Sequence, residues 1–379
     1  MTIDHASEQV VDYRDYDFRS VWVGRSGVDR FDRAVLDLAL THLDRRRTLE
    51  IGTGFGRLTP QLLHGRGEYV GIDFDLGGLS AANDSMTRAG LPNPHVAWLG
   101  ANAYHLPFAS GSFSSVCMVR VHHHLADPAR ALREIHRVLV PGGSALITFN
   151  GRSWPRSLVH DAAVLLGRPR VANDRRLLFA RGGHLEVHET PLRHFITTPS
   201  QFALDLRETG FQRIRTYGGA ETKTTRFLPH RLGLLCSQVW PGAPVFSDRW
   251  VVVRKSGPVT GLRAWDQLLA CPRCGAASSW SEETGGPTRP CGRCGFVLRR
   301  VDRILDARYV PDDAPGTTEL RPGRAGGVGP SPRVPPKDAP RPPPGARLAD
   351  GPASIDVEAQ DRAPRSSDPG RSDGPALSR

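Results

Sequence analysis

The chain has 379 residues, of which 39% are hydrophobic, and a formal net charge of +11 at pH 7. This length suits about two domains with a sizeable buried core, and six cysteines are too few for a disulfide scaffold. The sequence has no apolar run of about 18 residues and no signal-peptide pattern at its polar, acidic N-terminus, so we expect a cytoplasmic protein without membrane contact.

From residue 45 to residue 256, strand-like apolar runs alternate with helical patterns, which is typical of an α/β sheet. The clearest helix is 128–139, where apolar residues recur at steps of three and four after Pro128. A second helix is predicted at 199–209, followed by two late strands in RIRTYG and RWVVVRK. The other predicted strands are 48–52, 69–73, 95–100, 114–121 and 144–149.

A glycine-rich turn, LEIGTGFG, follows the first of these strands at residues 49–56. A dinucleotide fingerprint would need a third glycine where the chain has Arg57, and a Walker loop would need Lys followed by Ser or Thr. The turn therefore favours a ligand without phosphates, approached closely over glycine backbone and with the Glu50 carboxylate suited to cationic groups. The alternative is a glycine turn with a purely structural role.

The pattern ExGxGxG, from Glu50 to Gly56, resembles the first motif of class I S-adenosylmethionine-dependent methyltransferases. Residues 100–149 resemble the third to fifth motifs of the ubiquinone and menaquinone biosynthesis type of these enzymes. The resemblance implies a Rossmann-like α/β fold, in which a seven-stranded sheet carries helices on both faces. It covers residues 45–150 closely and 199–256 more loosely, and residues 1–44 would form a helical lid.

The resemblance also implies S-adenosylmethionine as cofactor. Asp73, 17 residues after Gly56, would accept hydrogen bonds from the ribose hydroxyls, although capping of the next helix is an alternative. Asn102 would contact the adenine amino group through its amide oxygen. The family commonly has Asp at this position and another Asp where this chain has Ser114. The expected cofactor-binding residues are Glu50, Gly52, Thr53, Gly54, Gly56, Asp73, Phe74, Asn102, Ala103 and Arg120.

Three adjacent histidines, 122–124, follow the fourth strand at the edge of the sheet where ligands bind. Adjacent side chains of an extended segment cannot all face one metal ion, so a three-histidine site is disfavoured. His123 or His124 is instead a candidate base for a protonated acceptor, with helix capping or packing as the alternative.

The segment 151–198 is longer than the family core needs and holds eight arginines against four acidic residues. Insertions at this place in such enzymes tend to cover the acceptor site. The basic excess therefore indicates an anionic acceptor, either a small molecule or RNA, with a solvated helical face as the alternative.

Two CxxC pairs lie within a second predicted domain, 265–310. Four thiolates at this spacing predict a closed, structural zinc site, whereas a redox role is disfavoured because two matched pairs are present. The segment resembles small zinc-ribbon proteins that serve as partner subunits of RNA and release-factor methyltransferases, which implies a possible protein partner. The expected metal ligands are Cys271, Cys274, Cys291 and Cys294.

The last residues, 311–379, hold 15 of the 32 prolines and predict a disordered tail, with a polyproline ligand as the alternative. Their ten basic residues balance ten acidic ones, so the net positive charge belongs to the first 310 residues.

The resemblance therefore predicts an enzyme that moves a methyl group from S-adenosylmethionine to an oxygen, nitrogen or carbon atom of a small-molecule acceptor, which is anionic if the basic segment 151–198 covers it. Two alternatives stay open: an RNA methyltransferase, and a binding or regulatory protein that uses a methyltransferase fold without catalysis.

Overall fold

The computed structural model divides into two units, Met1–Ser331 and Pro332–Arg379, and every residue it describes belongs to the first. The predicted tail after residue 311 lies outside the described residues, as do most of the first 21 residues and much of the 151–198 segment. The described residues are 19, 22–63, 67–90, 96–150, 177–179, 184–189, 192–219, 228–243, 245–277 and 288–311.

A ten-stranded sheet runs through the described part of the chain, in the order β11-β12-β13-β3-β2-β1-β4-β5-β10-β9. The five strands from β1 to β5 run parallel, and β10 is antiparallel to both β5 and β9. The strands of this sheet are β1 (Arg47–Ile51), β2 (Glu68–Asp73), β3 (Val96–Gly100), β4 (Phe113–Met118), β5 (Leu139–Asn150), β9 (Phe211–Gly219), β10 (Asp248–Lys255), β11 (Thr288–Pro290), β12 (Val297–Val301) and β13 (Ile304–Asp306).

Helices cover both faces of this sheet, as the alternating pattern predicts. Two of them pack on the face that carries Phe113 and Val116, and four pack on the face that carries Tyr69 and Trp250. The described α-helices are α1 (Ser26–Leu40), α2 (Thr59–Leu62), α3 (Leu76–Arg88), α4 (Pro128–Val138), α5 (Pro199–Glu208) and α6 (His230–Val239).

Helix α4 shows how the sequence encodes one of these contacts. The Asp127 carboxylate accepts the Arg130 N–H at 3.0 Å, and Pro128 occupies the first turn, so the helix begins where predicted. Leu132 and Ile135 are fully buried against the sheet. Burying each of these side chains stabilises the fold by roughly 1.5–3 kcal/mol.

The expected seven-stranded sheet is wrong in strand number. Seven strands, from β3 to β9 in the sheet order, match the expectation, and three more come from the segment that contains the CxxC pairs. Strand β13 pairs in parallel with β3, so that Ile304 lies opposite Trp98 and Asp306 opposite Gly100. The addition covers the edge of β3, whose backbone groups would otherwise lack ladder partners.

A separate three-stranded antiparallel sheet lies within the predicted acceptor-covering segment. Its strands are β6 (Leu177–Phe179), β7 (His184–Glu189) and β8 (Leu192–Thr197). Strand β8 contacts the end of β5 and the short 3-10 helix His122–His124. Among the described helices, none has the length and apolar character needed to cross a bilayer.

Candidate active site

The glycine-rich turn connects β1 to α2 and is tied to the neighbouring strand. The Gly52 and Thr53 N–H groups both donate to the Ile72 carbonyl, at 2.8 and 3.0 Å. Gly52 has a φ of +76°, and a Cβ there would lie 2.0 Å from Cγ2 of Val121, so only glycine fits. Gly54 has a φ of +52° with no atom within 4 Å of its Cβ position, so it presents bare backbone to open space.

Asp73 ends β2 and faces this turn. One carboxylate oxygen accepts the Gly54 N–H at 2.7 Å and the other accepts the Asp75 N–H at 3.0 Å. The helix-capping alternative belongs to Asp75 instead, whose carboxylate accepts the Gly77 and Gly78 N–H groups at the start of α3. Burial raises the pKa of Asp73 to about 6, so the carboxylate is mostly ionised at neutral pH.

Glu50 lies on the inner side of the same pocket, where it is 5% exposed. One of its carboxylate oxygens accepts the Thr59 hydroxyl at 2.8 Å and the Tyr69 hydroxyl. Burial raises its pKa to about 7, although both hydrogen bonds favour the charged form. A positive charge placed near this carboxyl group would therefore lower its pKa and favour the ionised form.

The structure brings nine of the ten expected cofactor-binding residues, and one of the two candidate bases, to a single pocket. Gly56 is not part of its lining: a Cβ there would lie 2.9 Å from Cβ of Ala82, so this glycine allows the turn to pack against α3. The expected residues that line the pocket are Glu50, Gly52, Thr53, Gly54, Asp73, Phe74, Asn102, Ala103, Arg120 and His124.

The amide of Asn102 is engaged on both sides. Its oxygen accepts the Tyr104 N–H at 3.0 Å, and its nitrogen donates to the Tyr309 carbonyl at 2.9 Å. The oxygen can accept a second hydrogen bond, which the expected contact with the adenine amino group would require.

Sequence reasoning missed an ion-pair network that includes two residues of the pocket lining, Arg57 and Arg120. Asp32, fully buried on α1, accepts two hydrogen bonds from Arg120, at 2.8 and 2.9 Å, and one from Arg57 at 3.1 Å. Arg120 also pairs with Asp248 at 3.0 Å, and the Arg57 guanidinium carbon lies 3.7 Å from the centroid of the Trp22 ring. An available signal was the position of Asp32 among the apolar residues of an amphipathic helix.

The three histidines form the 3-10 helix and have different surroundings. His124 lines the pocket, whereas His123 does not and its ring lies 3.9 Å from that of His124. His122 is buried and packs edge-on against Phe202 at 5.5 Å. Of the two candidate bases, only His124 is therefore placed beside the expected cofactor site.

The four predicted metal ligands come together, with their sulfur atoms all within 4.8 Å of one another. Each CxxC pair forms the same turn: the Gly275 N–H donates to the Cys271 carbonyl and the Gly295 N–H to the Cys291 carbonyl, both at 2.8 Å. Both glycines have a positive φ, near +71°. The donor set and the turns suit a tetrahedral, closed metal centre.

Comparison with known proteins agrees with this geometry. The model of the methyltransferase domain family matches residues 49–147. A demethylmenaquinone methyltransferase from Thermus thermophilus is 36% identical over 120 residues, which cover 31% of this chain and 53% of that protein. The chain thus spans about half the length of this relative.

Two further proteins are matched over more of their own length. A methyltransferase from Mycobacterium bovis is 34% identical over 180 residues, which cover 47% of this chain and 70% of that protein. The solved structure of an S-adenosylmethionine-dependent methyltransferase from Methanosarcina mazei is 17% identical, with a TM-score of 0.43, and the match covers 58% of this chain and 98% of that one. From the family match and the extent of the mycobacterial similarity, the chain belongs to the class I S-adenosylmethionine-dependent methyltransferases.

Proposed function

We propose that this protein transfers the methyl group of S-adenosylmethionine to an oxygen, nitrogen or carbon atom of a small-molecule acceptor. The observation that carries the proposal is the pocket at the carboxyl ends of β1 and β2. There the open backbone of Gly54 and the carboxylate of Asp73 face the same space. Open α/β sheets bind nucleotide-like ligands at this edge.

The residues of the pocket fit the cofactor. The ionised carboxylate of Asp73 can accept hydrogen bonds from two ribose hydroxyls, and Phe74 supplies an apolar surface for the base. The aromatic rings of Trp22 and Phe55 line the same pocket and add apolar surface for the cofactor. When bound, S-adenosylmethionine supplies an electrophilic methyl group on a sulfonium.

Methyl transfer is an in-line displacement, so the main task of the protein is to align the acceptor with the carbon–sulfur bond. As this bond breaks, the acceptor forms a bond to the methyl carbon, and S-adenosylhomocysteine leaves. An acceptor that carries a proton must also lose it. His124 lines the pocket and is the residue we propose for this step, in preference to His123.

Two observations support a small acceptor with an acidic group. The Thermus relative is named for a quinone, which is a small molecule. In addition, a groove of about 490 Å³, which shares no lining residue with the cofactor pocket, combines Phe149 and Phe202 with Arg213, Arg215 and Arg249. The rings of Phe149 and Phe202 pack against His122, which lies between the pocket residues Val121 and His124. Arginines on such a surface favour an anionic ligand. Most arginines of the 151–198 segment lie outside the described residues.

We also propose that the four-cysteine cluster holds Zn²⁺ in a structural role. The support is the approach of all four sulfur atoms to one point and the two matched turns that present them. Zinc bound in this way would contribute directly to folding of the segment. A protein partner at this module remains a proposal from its resemblance to partner subunits.

Calorimetry followed by isotope transfer tests the function. The protein should bind S-adenosylmethionine, and it should then move a tritiated methyl group into an organic extract when demethylmenaquinol or another acidic phenol is supplied. The His124→Asn variant should still bind the cofactor but should transfer the methyl group more slowly. Label found only in RNA would favour the RNA alternative, and absence of binding at millimolar cofactor would favour the non-catalytic one.

A further inference from the structure

The segment that follows the four-cysteine module reaches the cofactor pocket. After β13, the Ala307 N–H donates to the Gly100 carbonyl at 2.8 Å and so continues the pairing with β3. Ala101 and Asn102 follow Gly100 directly and line the pocket. Residues 307–309, which we call the C-terminal strap, therefore lie beside the part of the pocket expected to hold adenine.

Arg308 contacts the residue next to Asp73. Its guanidinium donates to the Phe74 carbonyl at 3.2 Å, and its carbon lies 5.4 Å from the centroid of the Phe74 ring. Two further donors of the guanidinium bind the carboxylate of Asp306, at 2.9 and 2.8 Å, and fix its orientation. This bidentate pair makes Arg308 a rigid support behind Phe74.

Tyr309 contacts a second residue of the same subsite, Asn102. Its carbonyl accepts the amide N–H of Asn102 at 2.9 Å, and its ring packs edge-on against His105 at 4.9 Å. A carboxylate at position 102 would have no proton to donate and would place its charge against this carbonyl. The family commonly has Asp at this position, and Asn102 is the residue that can donate a hydrogen bond to the strap.

The strap is in turn held by the metal module. Tyr309 packs against Phe296 at 5.8 Å, and the Phe296 carbonyl accepts the Cys291 N–H at 2.7 Å within the second cysteine turn. Nearer the first turn, the Ala270 N–H donates to the Pro107 carbonyl at 3.0 Å. Contacts therefore run without a break from the cysteine turns to the pocket wall.

We propose that the C-terminal strap is part of the cofactor site. Arg308 and Tyr309 are positioning residues: they act through Phe74 and Asn102 and set the shape of the adenine subsite. The proposal rests on the proposed function and goes beyond it, because it makes cofactor affinity depend on a module that lies outside residues 49–147, the region matched by the family.

Calorimetry with two ligands tests the proposal: S-adenosylhomocysteine, and 5′-methylthioadenosine, which retains the adenosine half alone. Arg308→Ala should weaken both by roughly tenfold, the size of effect expected when a residue that supports the site without touching the ligand is removed. Asn102→Asp, although it restores the residue common in the family, should also weaken both. The matched control Arg303→Ala changes an exposed arginine in the turn between β12 and β13 and should bind within about twofold of the unmodified protein.

Equal weakening of both ligands places the effect on the adenosine half that they share. Because partial unfolding would also weaken both ligands equally, urea unfolding of each variant checks that it stays folded under the conditions of the binding assay. The zinc content of each variant reports whether the module stays folded. If Arg308→Ala loses its metal, Asn102→Asp, which lies outside the module, decides alone. If the unmodified protein binds S-adenosylhomocysteine and the Asn102→Asp variant binds it equally well, the proposed role of the strap is wrong. Unmodified protein that binds neither ligand overturns the proposed function itself.

Discussion

The Asp32→Asn substitution should destabilise the protein more than any exposed acidic substitution on the same helix. Asp32 is fully buried and is the acceptor that Arg57 and Arg120 share, through three hydrogen bonds of 2.8 to 3.1 Å. Breaking a buried ion pair by removing one partner costs roughly 3–5 kcal/mol. Asparagine keeps one acceptor but no charge, so we expect a loss near the lower end, about 3 kcal/mol.

Urea unfolding, followed by tryptophan fluorescence with metal present and cofactor absent, measures this loss. The matched control is Asp37→Asn, on the same helix, whose exposed carboxylate accepts one hydrogen bond from Gln61. We expect the control to cost less than about 0.5 kcal/mol. If the two variants unfold at the same urea concentration with the same slope, the network does not stabilise the fold and the reasoning is refuted.

Three further predictions concern other parts of the site. The pKa of Glu50 is about 7 in the folded protein and ordinarily 4.5, so the side chain binds its proton more tightly when the protein is folded. The free energy of unfolding should therefore fall between pH 4.5 and 7, by at most about 1.4 kcal/mol per pH unit. Glu50→Gln should flatten that fall in pH-dependent urea unfolding, and an unchanged slope would contradict it. Gly52→Ala should abolish S-adenosylhomocysteine binding, because the Cβ of the new alanine would collide with Val121. The control Gly111→Ala has a similar φ of +66° but open space around the Cβ position, so it should cost only about 1 kcal/mol of stability in the same unfolding assay. Elemental analysis should find one zinc per chain and much less in Cys291→Ser; a metal-free, folded protein would remove the zinc site.

The parallel strands could be predicted because their signals are local. Each consists of a short apolar run followed by a turn, and burial in a covered sheet selects such runs. Strand β4 is the instructive exception, because it was predicted to reach residue 121 and ends at Met118. Arg120 has a φ of +60° there, while its side chain binds Asp32, 88 positions earlier in the chain. No local pattern reports a partner so distant in sequence.

The same distinction separates the predicted from the missed site residues. The glycine turn and Asp73 follow consecutive parallel strands, so their approach to one edge of the sheet follows from topology. The choice between His123 and His124 depends on the direction of a single 3-10 turn, which the sequence does not specify. Arg57 was read only as a missing glycine, because its role depends on where α1 packs.

At Ser114 and Asn102 the chain departs from the Asp that is common in the family, and the structure gives each departure a different explanation. The Ser114 hydroxyl, fully buried, accepts the Arg47 N–H at 2.9 Å and donates to the Asp44 carbonyl at 2.7 Å. It anchors the start of β1, at the opposite end of that strand from the glycine turn. Asn102 does lie at the pocket, but its amide nitrogen serves the Tyr309 carbonyl. Since neither departure removes a group that methyl transfer needs, they are no argument against catalysis.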